Sequence, residues 1–404
     1  MTQWYRITDA YKTIEDDGFK QSTPIVHIFG RDIEWNRQHL RIQYRPYFLV
    51  RQSEWMVVGE GLANDNRVSR IETTDYRGRT ERAIDGEQLF RVVCRTPEDV
   101  RDLRETVDDP FEADISFAQR LLIDLTHSQW IGVKDDCEPD SILSADALVV
   151  PDYDNQQCEP PETIPPIRHC IYDIEVQQGG DGPPVVTTEG TERAANPITA
   201  ITAYDSYTTE YHSWLLTHDE WDTGDIETVR NVTNDVAVPL NISVYDNPRD
   251  VVGQFCEWVI DREMDSMVGW NAGSFDHPYL VNYGLQNGVG AVKRLSPSRD
   301  VYPMDGNGSW INSSLKGRLL LDLMVLYDKC VVSELDSKRL TDVADSEDIA
   351  VGKLDIEDAI GEHDGPAIDV AWQQYPETFC RYSLRDTMAC VGIVQETQQD
   401  VTII

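Results

Sequence analysis

An α+β domain followed by an α/β domain is the fold class that this sequence predicts. Three observations carry it. A proline-rich stretch divides the chain, with Pro151, Pro160, Pro161, Pro165 and Pro166 set among polar residues. From residue 168 onward, short apolar runs alternate with helical patterns, the order of an α/β domain. Before residue 150, strand-like and helical segments mix without that alternation. The predicted domains are therefore 1–150 and 168–404, joined by a linker at 151–167.

In the first domain, Ile25–Arg31 and Leu40–Val50 are apolar-rich and suit a hairpin. Thr96-Pro97-Glu98-Asp99 reads as a helix start, with a capping hydroxyl, proline at the first position and acids in the first turn. Helical apolar spacing runs through residues 116–125. In the second domain, Cys170–Val176, Ile198–Tyr204 and Tyr211–Leu216 are strand candidates, and Gln177–Pro197 between the first two reads as a long loop. Asn247-Pro248 begins a helix expected to reach about Asp265. Ser266–Trp270 is a strand, Phe275–Gln286 a helix, Arg318–Asp322 a strand, and a closing helix runs from Pro376 to about Gln395.

The net charge is −37 and cations are scarce: eight lysines against 27 arginines. Such an acidic chain is either disordered or a folded protein kept soluble in a salt-rich cytoplasm. Ten Trp, 17 Tyr and 40% hydrophobic residues favour the folded, halophilic reading. That charge opposes nucleic-acid binding at low salt. At about 1 M salt the Debye length is only ~3 Å, so distant carboxylates hardly repel a phosphate. Binding would then rest on stacking, arginine pairs and metal bridges. No apolar run is long enough for a membrane span, and the polar, acidic opening predicts no secretory leader. The expected location is the cytoplasm, and no membrane partner is expected. The eight cysteines include no C-x-x-C pair, which argues against a zinc site and for reduced, buried thiols.

The chemistry resides in carboxylates. In HCIYDIEVQ (169–177), Asp173 and Glu175 alternate with Tyr172, Ile174 and Val176. On a strand the two acids share one face while their neighbours enter a core. Paired carboxylates repel unless a cation lies between them, and a divalent metal is the natural solution. The tripeptide alone decides nothing, because it recurs at Asp225-Ile226-Glu227 and Asp355-Ile356-Glu357, where the context is polar and a solvated surface is expected. A second element, VGWNAGSFDHPYL (268–280), places Asp276 after a short strand and at a helix start. It is either a ligand at the sheet's edge or a helix cap; His277 reads as a surface histidine, not a ligand. In the third, FCRYSLRDTMAC (379–390), Tyr382 and Asp386 are four apart and share a half-exposed helical face.

Taken in order, DxE, N-x-x-x-F-D and Y-x-x-x-D resemble the exonuclease domain of family B DNA polymerases. LKGRLLLDLMVL (315–326) and SKRLTDVA (337–344) resemble its later elements, and IFGRD (28–32), RPYF (45–48) and PFEADISFAQRLLID (110–124) resemble the N-terminal domain of archaeal members. The resemblance covers nearly the whole chain. It implies an RNase H-like (DnaQ-like) domain with a mixed sheet, acting as a 3′–5′ exonuclease on single-stranded or frayed 3′ ends of DNA.

On this resemblance Asp173, Glu175, Asp276 and Asp386 hold two Mg2+ or Mn2+ ions, and Tyr382 completes the catalytic set. Asp173 would bridge both ions, Glu175 and Asp386 complete the first, and Asp276 hold the second. Asn271 and Phe275 would support the terminal nucleotide, and Asp322 would play a supporting, structural part. Pro46, Tyr47, Ile115, Phe117 and Arg120 match positions of the uracil-reading pocket of archaeal members, although Ser116 departs from the usual proline. No D-x-x-S-L-Y-P and no Y-x-D-T-D segment occurs in the 404 residues, so the polymerase palm, fingers and thumb are not expected here. Two other readings stay open: a non-catalytic DNA-binding subunit of a split polymerase, or a truncated polymerase. A separate palm chain or a sliding clamp would then be the protein partner.

Overall fold

The computed structural model describes residues 2–16, 22–75, 78–126, 129–134, 141–149, 159–179, 194–234, 237–304, 315–330, 337–349 and 354–397. Pro151, with the rest of 151–158, and residues 180–193 of the expected long loop lie outside them. The chain divides into two compact units, Met1–Pro166 and Ile167–Ile404.

In the first unit the strands are β1 (Thr2–Asp16), β2 (Ser22–Arg31), β3 (Arg37–Gln43), β4 (Tyr47–Arg51), β5 (Val68–Glu72), β6 (Leu89–Cys94), β7 (Trp130–Lys134), β8 (Ile142–Ser144) and β9 (Leu148–Val149). The helices are α1 (Gln52–Ala63), α2 (Pro97–Arg104) and α3 (Phe117–Leu125). Six strands pair in the order β8-β3-β2-β1-β7-β9, and β4, β6 and β5 form a smaller sheet. β2 and β3 are the expected antiparallel hairpin. Its second arm stops at Gln43, however, and the run to Val50 resumes as β4 in the other sheet. Pro46 lies in the break, where a residue without an N–H donor ends a ladder. Thr96 caps α2 as predicted: its hydroxyl accepts from the Asp99 N–H, and the Asp99 carboxylate accepts from the Thr96 N–H. β1 was not foreseen. Its acidic residues hide an aromatic and β-branched content that suits a strand.

In the second unit the strands are β10 (His169–Val176), β11 (Ile198–Asp205), β12 (Glu210–Leu216), β13 (Leu240–Tyr245), β14 (Ser266–Gly269) and β15 (Leu319–Asp322). The helices are α4 (Thr223–Asn231), α5 (Pro248–Asp261), α6 (Asp276–Gln286), α7 (Gly290–Arg294), α8 (Leu323–Cys330), α9 (Leu340–Ser346), α10 (Ile356–Ile360), α11 (Ala367–Gln374) and α12 (Pro376–Thr397). The strands pair in the order β13-β12-β11-β10-β14-β15. The sheet is mixed: β10–β11 and β11–β12 are antiparallel, the other pairs parallel. This is the RNase H-like arrangement.

Two helices sandwich the central strands. On one face α5 brings Phe255 to Tyr172 of β10 and Trp214 of β12, with ring centroids 5.2 and 5.3 Å apart. On the other face α12 packs against β10 and β11. The helix docks there through small polar groups rather than apolar bulk. Ser383 Oγ lies 2.8 Å from Thr202 Oγ1, and the Thr387 hydroxyl donates to the Thr202 carbonyl at 3.1 Å. All three residues are fully buried. Each such satisfied bond contributes about 1 kcal/mol and, more importantly, fixes one register of helix on sheet. Cys94, Cys170, Cys256, Cys380 and Cys390 are buried free thiols.

Candidate metal centre

The site begins with strand alternation. Tyr172 and Ile174 enter the α5 side of the core, so Asp173 and Glu175 must face α12. Thr202 is the cross-strand partner of Asp173, and Thr202 is the residue that Ser383 and Thr387 grip. Tyr382 and Asp386 adjoin those two gripping residues on α12. The docking register therefore sets Asp386 over the two strand acids. Carboxylate oxygens of Asp173, Glu175 and Asp386 all lie within 4.8 Å of one another.

Asp276 arrives from a strand–helix junction. β14 ends at Gly269, where a Cβ would lie 2.8 Å from the Tyr172 carbonyl oxygen, so only glycine admits this approach to β10. The chain then turns at Asn271, which takes a left-handed φ of 54°, a conformation asparagine tolerates. Asp276, 4% exposed, opens α6, and its Oδ1 accepts from the Ile174 N–H at 3.2 Å. That bond ties it to β10 between the two strand acids. The turn is held by Asp322 at the end of β15, whose carboxylate accepts from the N–H groups of Gly273, Met324 and Val325 at 3.0, 3.0 and 3.3 Å. The supporting part expected of Asp322 is thus a backbone clamp.

His277 is a correction. It is not a surface histidine but is 1% exposed, with Nδ1 2.6 Å from the Tyr172 hydroxyl. Burial lowers its pKa to about 3, so the ring is neutral and acts as a packing and hydrogen-bonding group of the core.

Electrostatics mark the site. Burial first, then Asp276, Glu175 and Asp386, raises the pKa of Asp173 well above the ordinary carboxylate range. Glu175 is raised by burial and by the charges of Asp386 and Asp276. Asp276 is pushed up to about 7 by burial, against the opposing Ile174 hydrogen bond. The carboxylates of Asp173 and Glu175 have no ion pair or hydrogen bond among the described residues. Crowded acids that repel one another and offer only oxygen fit a hard divalent ion. Tyr382 is raised above its usual value by the Glu175 charge, by burial and by its hydrogen bond to Asp386, so the phenol keeps its proton.

This crowding predicts a pH effect. Because the folded pKa of Asp276 exceeds its unfolded value, its contribution to stability is present below about pH 4 and lost as pH rises to about 7. In chelator, wild type is expected to lose stability relative to Asp276→Asn over that window, by on the order of a few kcal/mol. Magnesium should reverse the loss. Denaturant melts of both proteins across this range check it; a constant difference between them would contradict the crowding.

The two other Asp-Ile-Glu segments are helix starts. Asp225 joins Asp222 in the capping box of α4, and Asp355 caps α10, with Glu227, Asp355 and Glu357 exposed. A cleft of about 410 Å3 opens beside Tyr382 and Asp386, lined also by Arg339, Arg385, Leu340 and Asp345. Arg339 and Arg385 escaped the sequence reading, although Arg385 directly precedes Asp386. Phe275 is half-buried, its ring 5.3 Å from that of Tyr279, and Asn271 is likewise half-buried.

Of the pocket residues expected in the first unit, Tyr47 and Phe117 share a core cluster and Arg120 packs on Tyr47. Tyr47, Phe117 and Arg120 are 4, 6 and 3% exposed, Pro46 is buried and Ile115 half-buried. The Tyr47 hydroxyl donates to Asp124 at 2.8 Å and accepts from Arg120 at 3.2 Å, while Arg91 and Arg120 cover its ring. A base entering here would have to displace part of that network.

Comparison with known proteins follows the same lines. The family model described as DNA polymerase family B, exonuclease domain, matches residues 108–343, a range that ends before α12. DNA polymerase 2 of Aeropyrum pernix is 25% identical over 348 residues, 80% of this chain and 37% of that protein. The DNA-directed DNA polymerase of Escherichia phage RB69 is 27% identical over 289 residues, 67% of this chain and 30% of that protein. The structure of the family B DNA polymerase from Pyrobaculum calidifontis aligns with a TM-score of 0.64 at 22% identity, over 98% of this chain and 45% of that one, a likeness of fold. The chain thus spans less than half the length of these relatives.

Proposed function

Because the chain belongs to the family B DNA polymerases, whose exonuclease domain it carries, we propose that it is a metal-dependent 3′–5′ exonuclease. Its substrate is the single-stranded or frayed 3′ end of DNA. The observation that carries this reading is the convergence of Asp173, Glu175 and Asp386 within 4.8 Å, with Asp276 tied to the backbone between the strand acids. Asp173 would be shared by two ions, Glu175 and Asp386 would complete one, and Asp276 the other. The all-oxygen donor set suits magnesium or manganese. Bound there, such ions supply an activated water at neutral pH and counter-charge for the leaving 3′ oxygen.

The remaining groups position the strand. Tyr382 keeps its proton, which it donates to Asp386, so it orients that carboxylate and does not act as a base. Arg339 and Arg385 offer the cleft cations for the phosphates of the strand. The half-buried Phe275 ring offers a face for the terminal base, and Asn271 shapes the turn beside it.

A strand labelled at its 5′ end, incubated with the chain and magnesium, tests this. Expected are a ladder shortening from the 3′ end, release of mononucleotides and resistance of a 3′-blocked strand. The four triphosphates should give no primer extension. With a net charge of −37, the rate is expected to rise with KCl over a range where most nucleic-acid binders weaken. Internal cuts, or digestion from the 5′ end, would refute the assignment.

A further inference from the structure

The first unit holds a second concentration of positive charge. A cleft of about 220 Å3 is lined by Arg45, Arg67 and Arg95, with Ser22, Asn66, Thr96 and Asp99. These arginines come from three places: the break between β3 and β4, the turn before β5, and the residue after β6. Acids outnumber bases 72 to 35 in this chain, so an arginine ordinarily has a carboxylate to hand. Arg67 has two, a two-bond pair with Asp65 at 3.0 and 2.8 Å and a looser contact to Asp102 at 3.7 Å. Arg45 and Arg95 have none within ion-pair distance among the described residues.

Backbone oxygens hold them instead. Arg45 Nη1 donates to the Arg95 carbonyl at 2.9 Å, and Arg95 Nε donates to the Asn66 carbonyl at 2.7 Å. Each guanidinium has five N–H donors, so most remain available. Burial and the neighbouring charges of Arg95 and Arg70 act against the charged form of Arg45. Two guanidiniums held by backbone carbonyls and not by carboxylates, in a chain with a twofold excess of acid, are arranged for an anion. The carboxylate in the lining is already engaged, since Asp99 accepts from the Thr96 N–H.

We propose that Arg45, Arg67 and Arg95 form a phosphate-binding cleft for the backbone of a single DNA strand. The open shape and the spread of guanidiniums over three segments suit successive phosphates better than one enclosed ion. Bidentate guanidinium–phosphate contacts also survive where screening removes long-range attraction. Only the choice of DNA as the polyanion rests on the exonuclease reading; the arginine cleft does not.

The test uses the full chain in chelator, so that binding is read without cleavage. A labelled single strand of about 20 nucleotides, longer than the ~4–16 that a small binding domain covers, is titrated by fluorescence anisotropy. The series spans about 0.2 to 2 M KCl. The double variant Arg45→Gln/Arg95→Gln is expected to bind at least about tenfold more weakly, with the log–log salt slope reduced by ~0.7 for each phosphate that no longer meets a guanidinium. Arg95→Lys keeps the charge, loses the fork and should fall between. Inorganic phosphate, titrated by calorimetry, separates the two sources of this chemistry. Loss of phosphate binding with unchanged strand affinity would overturn the strand assignment, as would unchanged affinity and slope in the folded double variant. If the double variant does not fold, Arg95→Lys decides alone, and wild-type affinity in it refutes the cleft. A chain that never cleaves but loses strand affinity in these variants would uphold this cleft and remove only the exonuclease reading.

Discussion

Asp173→Ala is expected to reduce release of nucleotides from a 3′ end by about a thousandfold or more while leaving the fold intact. Carboxylate oxygens of Asp173, Glu175 and Asp386 lie within 4.8 Å of one another, and Asp276 is tied to the backbone of the next residue, Ile174. Loss of Asp173 removes the ligand proposed to be shared by both ions. The side chain is half-exposed and makes no hydrogen bond or ion pair among the described residues, so little packing goes with it. Without metal the variant should melt at a higher temperature than wild type, because mutual repulsion falls. With magnesium the order should reverse, since only wild type gains the binding energy of the ions. Initial rates on a 3′-labelled strand, with melts in chelator and in magnesium, check both halves. A variant that digests at the wild-type rate would remove the assignment.

Asp322→Ala is expected to be the most destabilising single change around the site, by roughly 3–5 kcal/mol. Asp322 is 2% exposed, and its carboxylate accepts from the N–H groups of Gly273, Met324 and Val325, with a further bond from Asn271. Alanine would leave these donors buried without an acceptor, each costing about 1–3 kcal/mol before relaxation. The turn it clamps leads into Asp276, so metal affinity and cleavage should fall together with stability. Asp322→Asn keeps the oxygen that faces Met324 and Val325 but presents an NH2 to Gly273, and should cost roughly half as much. Chemical denaturation of the two variants checks the order; wild-type stability in Asp322→Ala would mean that the clamp does not hold the turn.

Local pattern carried most of what the sequence revealed. The alternation in β10 is a period of two, so it set Asp173 and Glu175 on one face without knowledge of any partner. The spacing of Tyr382 and Asp386 did the same for α12. The two misleading Asp-Ile-Glu segments lacked a preceding apolar strand, and in the structure both are helix starts. What stayed hidden depends on distant partners. His277 read as surface because its partner, the Tyr172 hydroxyl, is 105 residues away. The grip of Ser383 and Thr387 on Thr202 joins residues more than 180 apart, and nothing near any of them announces it. The clamp of Asp322 on Gly273 is equally remote, spanning 49 residues. Arg45 and Arg95 escaped notice for the same reason, since their convergence exists only in the folded unit.

Manganese placed by anomalous diffraction, in crystals of the chain soaked with the ion and a mononucleotide bearing a 5′-phosphate, tests the central claim most directly. Two manganese sites are predicted, both touching Asp173, with Glu175 and Asp386 on one and Asp276 on the other. Manganese absent from this cluster while bound elsewhere on the chain would contradict the account.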